Sequence, residues 1–236
     1  MLRGTWDYHR RLEAYRGWLQ GLSAAGVRVA NPAGLVEWNL DKAYLDSLAA
    51  GGIRTPGQTV LPLDRQALAD FMDERGWREA VVKPTSGASG HGVRLVAREE
   101  IEAVWPEIAE SVAPHRLLVQ EFIGTVRTSG QISFVFFDGT FSHAAQLIPR
   151  AGEFRINSAF QPEKRAYRPA AGELAQAVDV LEKLPQRPLY ARIDGIFDGS
   201  DFVLLEAEVN EPALFLDLDP EAGRRFAAAS LAWAAR

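Results

Sequence analysis

The sequence predicts an α+β fold built on antiparallel sheets, and three observations lead there. Segments of helical period and pairs of strand-like runs alternate without a β–α–β rhythm. Short polar turns, around Asp138-Gly139 and around Asp198-Gly199-Ser200-Asp201, join two pairs of apolar runs as hairpins. A third pair, Val81-Val82-Lys83-Pro84 and Val93-Arg94-Leu95-Val96, is joined by a glycine-rich turn. The 236 residues leave room for one large or two small domains and are ample for a real core.

The elements follow in order. Leu12, Tyr15, Leu19 and Leu22 set a helical period over residues 9–25, and Gly26 ends it. Residues 27–30 read as a short strand closed by Asn31-Pro32. A second helix starts at Asn39 as N-cap and stops at Gly51-Gly52; a third covers 64–75. After the glycine-rich pair come a helix over 99–112 and a strand over 117–120. Hairpins are predicted for 131–137 with 140–148 and for 189–197 with 202–210, helices for 173–183 and 222–235.

Composition excludes several classes. A net charge of −5 gives no reason to expect nucleic acid or an acidic membrane as partner. The absence of cysteine excludes disulfides, thiol nucleophiles and thiolate metal sites. No apolar run is long enough to span a bilayer, and the N-terminus carries charges where a signal peptide is apolar, so a cytoplasmic protein is expected. His9, His91, His115 and His143 show no metal-ligand spacing.

The turn Ser86-Gly87-Ala88-Ser89-Gly90-His91-Gly92 carries the first chemical signal, with Lys83 at its mouth. Three glycines let backbone N–H groups converge on one spot, which suits a phosphate. The chain continues as a strand, which excludes a Walker loop and a dinucleotide fingerprint, since both open a helix. Such a turn would close over phosphates as a flap. On these residues alone, an ordinary glycine-rich hairpin has equal standing.

The second signal is Glu206-Ala207-Glu208-Val209-Asn210. Strand alternation puts Glu206, Glu208 and Asn210 on one face, with Leu205, Ala207 and Val209 toward a core. Carboxylates and an amide oxygen stacked this way make a hard-oxygen face suited to Mg²⁺, and their repulsion calls for a cation between them. In Arg192-Ile193-Asp194 the two charged residues share a face. Asp194 joins the carboxylate face only if it pairs with Glu206. A two- or four-residue loop would set it opposite Leu205, so an odd loop or a bulge is predicted. Arg192 would then lie near Glu208, as an anion anchor or a plain cross-strand ion pair.

Taken in order, these segments resemble the ATP-grasp superfamily, and within it the carboxylate–amine ligases related to glutathione synthetase. The branch that includes the cycloserine-biosynthesis ligase is the nearest resemblance. The segments that carry it are Arg3-Gly4-Thr5-Trp6-Asp7-Tyr8, Trp38-Asn39-Leu40-Asp41-Lys42-Ala43-Tyr44-Leu45, Val81-Val82-Lys83-Pro84, Gln120-Glu121-Phe122-Ile123, Tyr190-Ala191-Arg192-Ile193-Asp194 and Leu205 to Pro212.

The resemblance implies two α+β lobes with ATP between them: a small lobe over 41–120, a large lobe over 121–236, and residues 1–40 as the remnant of a preceding α/β lobe. It implies Lys42 and Lys83 on the phosphates, covered by Ser86, Gly87, Ser89, Gly90 and Gly92. Gln120, Glu121 and Ile123 would meet adenine and ribose. Asp194, Glu206, Glu208 and Asn210 would hold Mg²⁺, with Mn²⁺ as a substitute; spacing favours Glu208 and Asn210. Arg155, on a strand between Phe154 and Ile156, would face an acyl phosphate, and Arg192 would anchor an anion. The implied reaction joins a small-molecule carboxylate to an amine through that acyl phosphate, and a homodimer is carried forward as the assembly. A chain opening in the middle of the first lobe keeps two alternatives in view: a phosphotransferase with a hydroxyl acceptor, and a non-catalytic ATP-binding protein.

Overall fold

Two all-antiparallel sheets stand on either side of a cleft, one in each half of the chain. The computed structural model describes every residue except Arg3, and the side chain of Ser158 is likewise outside the description. Arg3 opens the first segment of the resemblance and so lies outside the described residues.

The first sheet has four strands, β1 (Gln58–Leu61), β2 (Glu79–Pro84), β3 (Arg94–Ala97) and β4 (Leu117–Glu121), in the order β1-β4-β2-β3. Alternation sorts its side chains. Ala80, Val82, Leu117 and Val119 pack on Leu68, Met72, Ile108 and Val112 of two covering helices, Arg65–Arg75 and Ile101–Val112. The opposite face leaves Val81, Lys83 and Gln120 lining the cleft. Asp64 caps the first of these helices by accepting from Ala67 N at 2.7 Å.

The second sheet has five strands, β5 (Gln131–Phe137), β6 (Thr140–Ile148), β7 (Glu163–Tyr167), β8 (Tyr190–Asp198) and β9 (Asp201–Glu208), in the order β7-β6-β5-β8-β9. One face is the main core: Ile132, Phe134, Phe136, Ala191, Ile193, Leu204 and Ala207 meet the helices Tyr44–Ala50 and Ala171–Glu182. The other face is divided along its length. Val135, Phe137 and Tyr190 are covered by the helix Ala222–Ala234 through Phe226. Arg192, Asp194 and Ser133 continue the same face as polar groups.

Several sequence expectations are corrected. Residues 27–30 form no strand. The segment is tied down by Asn31 instead, whose amide donates to Tyr190 O and Val209 O (2.7 and 2.6 Å) and accepts from Leu189 N (2.6 Å). Asn39 is no N-cap. It ends the helix Ala33–Asn39, and its side chain takes the backbone of the last strand, donating to Ala207 O at 2.6 Å and accepting from Val209 N at 3.2 Å. Residues 153–157 are irregular, so Arg155 stands on a loop and not on a strand. β1 and β7 are additional strands. Both lie at sheet edges, and β7 is polar and exposed along most of its length, so backbone pairing alone defines it.

Candidate active site

A cleft of about 720 Å³ opens between the sheets. Its walls come from β2, the glycine-rich turn, the end of β4, the 154–157 loop, and the β8–β9 hairpin with the residues after it. Lys83, Asp194 and Glu208 all line this one space, so these three residues are not scattered as a purely structural role would have them.

The β8–β9 hairpin solves the register problem by a bulge. Asp198 pairs with Asp201 around a two-residue turn, which by itself would set Asp194 opposite Leu205. The register shifts between Asp194 and Gly195, so that Asp194 pairs with Glu206 and Arg192 with Glu208. Leu205 is the extra residue. It leaves the face of Ala207 and Val209 expected of it and packs with Val203 and Ile196 at the cleft wall. The bulge is compensated at Gly195, where a Cβ would strike the Phe202 ring and Val203 O.

Charges pair across the cleft floor. Lys42 Nζ lies 2.8 Å from Glu206 Oε1 and donates to Gly87 O at 3.1 Å, joining the carboxylate face to the turn. Arg192 Nη2 reaches Asp194 Oδ2 at 2.8 Å and Glu208 Oε1 at 2.5 Å. Burial pushes Asp194 upward against the pull of Arg192, and pushes Glu208 upward with help from Glu206 and Asp194. Burial also raises Glu206, but Lys42 and Lys83 outweigh it and the net shift is down. The Lys83 ammonium makes no ion pair or hydrogen bond among the described residues; burial lowers it to about 8, with Glu206 only partly offsetting. Glu211 is raised to about 7, first by burial and then by Glu206, against the opposing pull of Lys42.

The glycine-rich turn forms as expected. Ser89, Gly90 and Gly92 have φ of 55°, 73° and 69°, and a Cβ on Gly90 would come 2.8 Å from Asn157 Cγ across the cleft. Gly87, Ser89 and Gly90 face the cleft, while Ser86 is buried facing a second, smaller cavity and Gly92 packs on Pro84. Gln120 and Ile123 line the cleft, and Gln120 is fixed by Gln58 at 2.7 Å. Glu121, also at the wall, faces Gly57 N at 3.4 Å. Arg155 reaches the wall but is held by Glu153 at 2.7 Å and stacked 3.8 Å from the Phe160 ring centre. Glu211, Trp6 and Tyr8 also line the wall; all three lie in segments that carry the resemblance, and sequence reasoning gave none of them a role. The only sequence signal for Glu211 was its place after the Glu-x-Glu-x-Asn run.

A divalent cation fits the chemistry of the carboxylate face. Among the described residues no three acidic or histidine side chains are already arranged around one point, and Arg192 and Lys42 are paired with the carboxylates. Yet burial, with repulsion from Glu206, raises both Glu208 and Glu211, and a divalent cation at this face would oppose that shift. Asn210 is buried, accepts from Tyr15 OH at 2.7 Å, and leaves Nδ2 without a partner. Turned over, the amide donates to Tyr15 and frees its oxygen as a further hard donor.

Comparison with known proteins agrees with this geometry. The family described as "Prokaryotic glutathione synthetase, ATP-grasp domain" matches residues 52–218. The chain is 32% identical to the cycloserine biosynthesis protein DcsG of Streptomyces lavendulae, across 97% of this chain and 81% of that protein. The crystal structure of D-cycloserine synthetase DcsG superposes with a TM-score of 0.85 at 28% identity, covering 97% of this chain and 81% of the other. D-alanine–D-alanine ligase from Bacillus anthracis complexed with ATP shares the fold, with a TM-score of 0.65 at 21% identity over 90% and 70% of the two chains.

Proposed function

This chain belongs to the ATP-grasp carboxylate–amine ligases of the glutathione-synthetase type, and from that premise we propose how its own residues divide the work. The enzyme uses ATP and Mg²⁺ to activate a carboxylate as an acyl phosphate, which an amine or similar nucleophile then attacks. One observation supports the assignment of roles above the rest. The bulge in β9 brings Asp194 into register with Glu206, across the cleft from the unpartnered Lys83 ammonium and under a glycine-rich turn.

Lys83 and Lys42 hold the phosphates, and Gly87, Ser89 and Gly90 cover them with backbone N–H groups. Gln120, Glu121 and Ile123 receive the nucleoside end. Asp194, Glu206, Glu208 and Asn210 hold the metal, and Mn²⁺ substitutes for Mg²⁺ in an all-oxygen set. The metal's contribution is to neutralise charge on the transferring phosphoryl group. Arg192, fixed by Asp194 and Glu208 and lying 5.4 Å from the Phe215 ring centre, anchors an anion of the acyl substrate. Arg155 swings from Glu153 to the acyl phosphate oxygens. The protein works in the cytoplasm, where ATP is supplied; no helix among the described residues is long and apolar enough to cross a membrane.

The test is thermal unfolding with a non-hydrolysable ATP analogue, with and without Mg²⁺, followed by a screen of carboxylates and amines for phosphate release. Saturation at a hundred times Kd stabilises by about 2.7 kcal/mol, a rise of about 5–10 °C for a chain this long. Release that needs both substrates supports the ligase. A stable phosphoester formed without an amine would mean a phosphotransferase, and no thermal shift would remove the ATP site.

A further inference from the structure

Four carboxylates line the cleft around the β8–β9 hairpin, and the chain's own cations hold three of them. Lys42 holds Glu206, and Arg192 holds both Asp194 and Glu208. Glu211 is different. Among the described residues its carboxylate has no ion pair and is hydrogen-bonded only by its own backbone N–H, although it stands half-buried in the cleft wall. Its backbone carbonyl accepts from Trp6 Nε1 at 3.0 Å, which fixes the indole at the rim, where 58% of Trp6 remains exposed. Tyr8 is buried in the same wall with its hydroxyl on Gly87 O, and of all nearby charges Glu211 acts most strongly on that hydroxyl.

A free carboxylate beside an open indole and a phenol is an arrangement for a cation. The carboxylate supplies charge and hydrogen-bond acceptors, and the exposed Trp6 indole supplies cation–π attraction, while Tyr8, buried with its ring 5.3 Å from that of Tyr15, closes the wall. Lys42 and Arg192 act on Glu211 through space without forming an ion pair with it, because Lys42 is bound to Glu206 and Arg192 to Asp194, Glu208 and Ala213 O.

We propose that Glu211, with Trp6 and Tyr8, seats the ammonium group of the amine substrate. The proposal rests on the ligase reading and adds the residues that recognise its nucleophile. It makes Glu211 a specificity residue, distinct from the metal-holding carboxylates beside it.

The experiment is thermal unfolding of the full chain at saturating ATP analogue and Mg²⁺, with D- or L-alanine or methylammonium added, against D- or L-lactate at equal ionic strength. At ten times Kd an ammonium compound should add about 3–5 °C, and lactate should add nothing comparable. Glu211→Gln should abolish the increment. Trp6→Leu, at an exposed side chain, should reduce it without lowering the unfolding temperature of the free protein. An increment that survives Glu211→Gln overturns the proposal, as does an equal response to lactate or no response to any ammonium compound. If Glu211→Gln instead removes the Mg²⁺ requirement of the nucleotide shift, Glu211 is a metal ligand and the seat is disproved. A wild-type protein with no nucleotide shift brings down the ligase reading itself, whereas a nucleotide shift without an ammonium increment brings down only the seat.

Discussion

The two hairpins that face each other across the cleft, β2–β3 and β8–β9, are both antiparallel pairs, yet they solve opposite problems. The first forms a cover presented through backbone: residues 85–93 between its strands include glycines at positive φ, with Thr85 and Ser86 buried at its base and Gly87 O held by Lys42 and Tyr8. The second needs a rigid array of charge: its turn has two residues, its register is fixed by a bulge, and its apolar residues are buried in the main core. Glycine serves both, by different means. Gly90 gives the first hairpin a left-handed turn, while Gly195 gives the second a place where backbone and an aromatic ring can close over a bulge. Flexible binding elements are drawn from the sparsely packed part of a fold, and charge arrays from the well-packed part.

The largest effect that would break this comparison is on turnover. Glu208→Ala should lower kcat on the order of 10²–10³-fold, as for loss of one electrostatic stabiliser, with the unfolding temperature nearly unchanged. Arg192 keeps Asp194 as partner in that variant, so no buried charge is stranded. If the protein unfolds instead, the hairpin face is structural. Next comes affinity. Lys83→Ala removes a charge-assisted contact worth about 1.5–3 kcal/mol, so nucleotide Kd measured by calorimetry should rise about 10- to 150-fold.

The glycines give the sharper contrast. Gly195→Val should cost about 1–3 kcal/mol by overpacking against Phe202 and lower the unfolding temperature by about 3–10 °C. Gly90→Ala should leave that temperature within a few degrees, since it adds local strain of about 1 kcal/mol and displaces only the Asn157 side chain on the facing loop, and weaken nucleotide binding instead. Equal thermal losses in both variants would mean the two hairpins are equally rigid.

The smallest effects are those of pH. Lys83 titrates at about 8 in the free protein, so phosphate binding above that pH must recruit a proton; nucleotide affinity should fall by up to about tenfold per pH unit there. Glu211, held at about 7, keeps its proton to higher pH in the folded chain than in the unfolded one. The native state therefore binds more protons between about 4.5 and 7, and its contribution to stability is lost as pH rises through that window. Denaturant melts of the free protein at pH 5 and pH 7.5 should show this loss, and Glu211→Gln should reduce it, leaving the part due to Glu208, which is raised to about 8.

Much of this was legible in the chain. Hydrophobic period and capping signals located most of the helices but missed Ala33–Asn39, the Asp138-Gly139 turn fixed one hairpin, and three glycines beside Lys83 marked the cover. Alternation placed Glu206 and Glu208 on one face because a strand's period of two is a local property. The same arithmetic showed that a two-residue turn could not bring Asp194 to Glu206 without one extra residue. It could not say which residue, because Leu205 bulges only where Gly195 and Phe202 leave room for it.

Tertiary structure decided the rest. Asn39 has the composition of a helix cap, and it became a clamp on β9 because that strand's unpaired backbone lay within reach. Val27-Arg28-Val29-Ala30 has strand propensity and found no partner strand, since Asn31 had already taken the neighbouring backbone groups. Arg155 is paired with Glu153 by loop geometry that no spacing encodes. Which carboxylates are neutralised and which is left for a ligand depends on residues from 6 to 211 meeting around one cleft. Residue types and periods are properties of the chain taken locally, and the sequence by itself determined them; pairing of charges across 100 or more residues is a property of the packed whole.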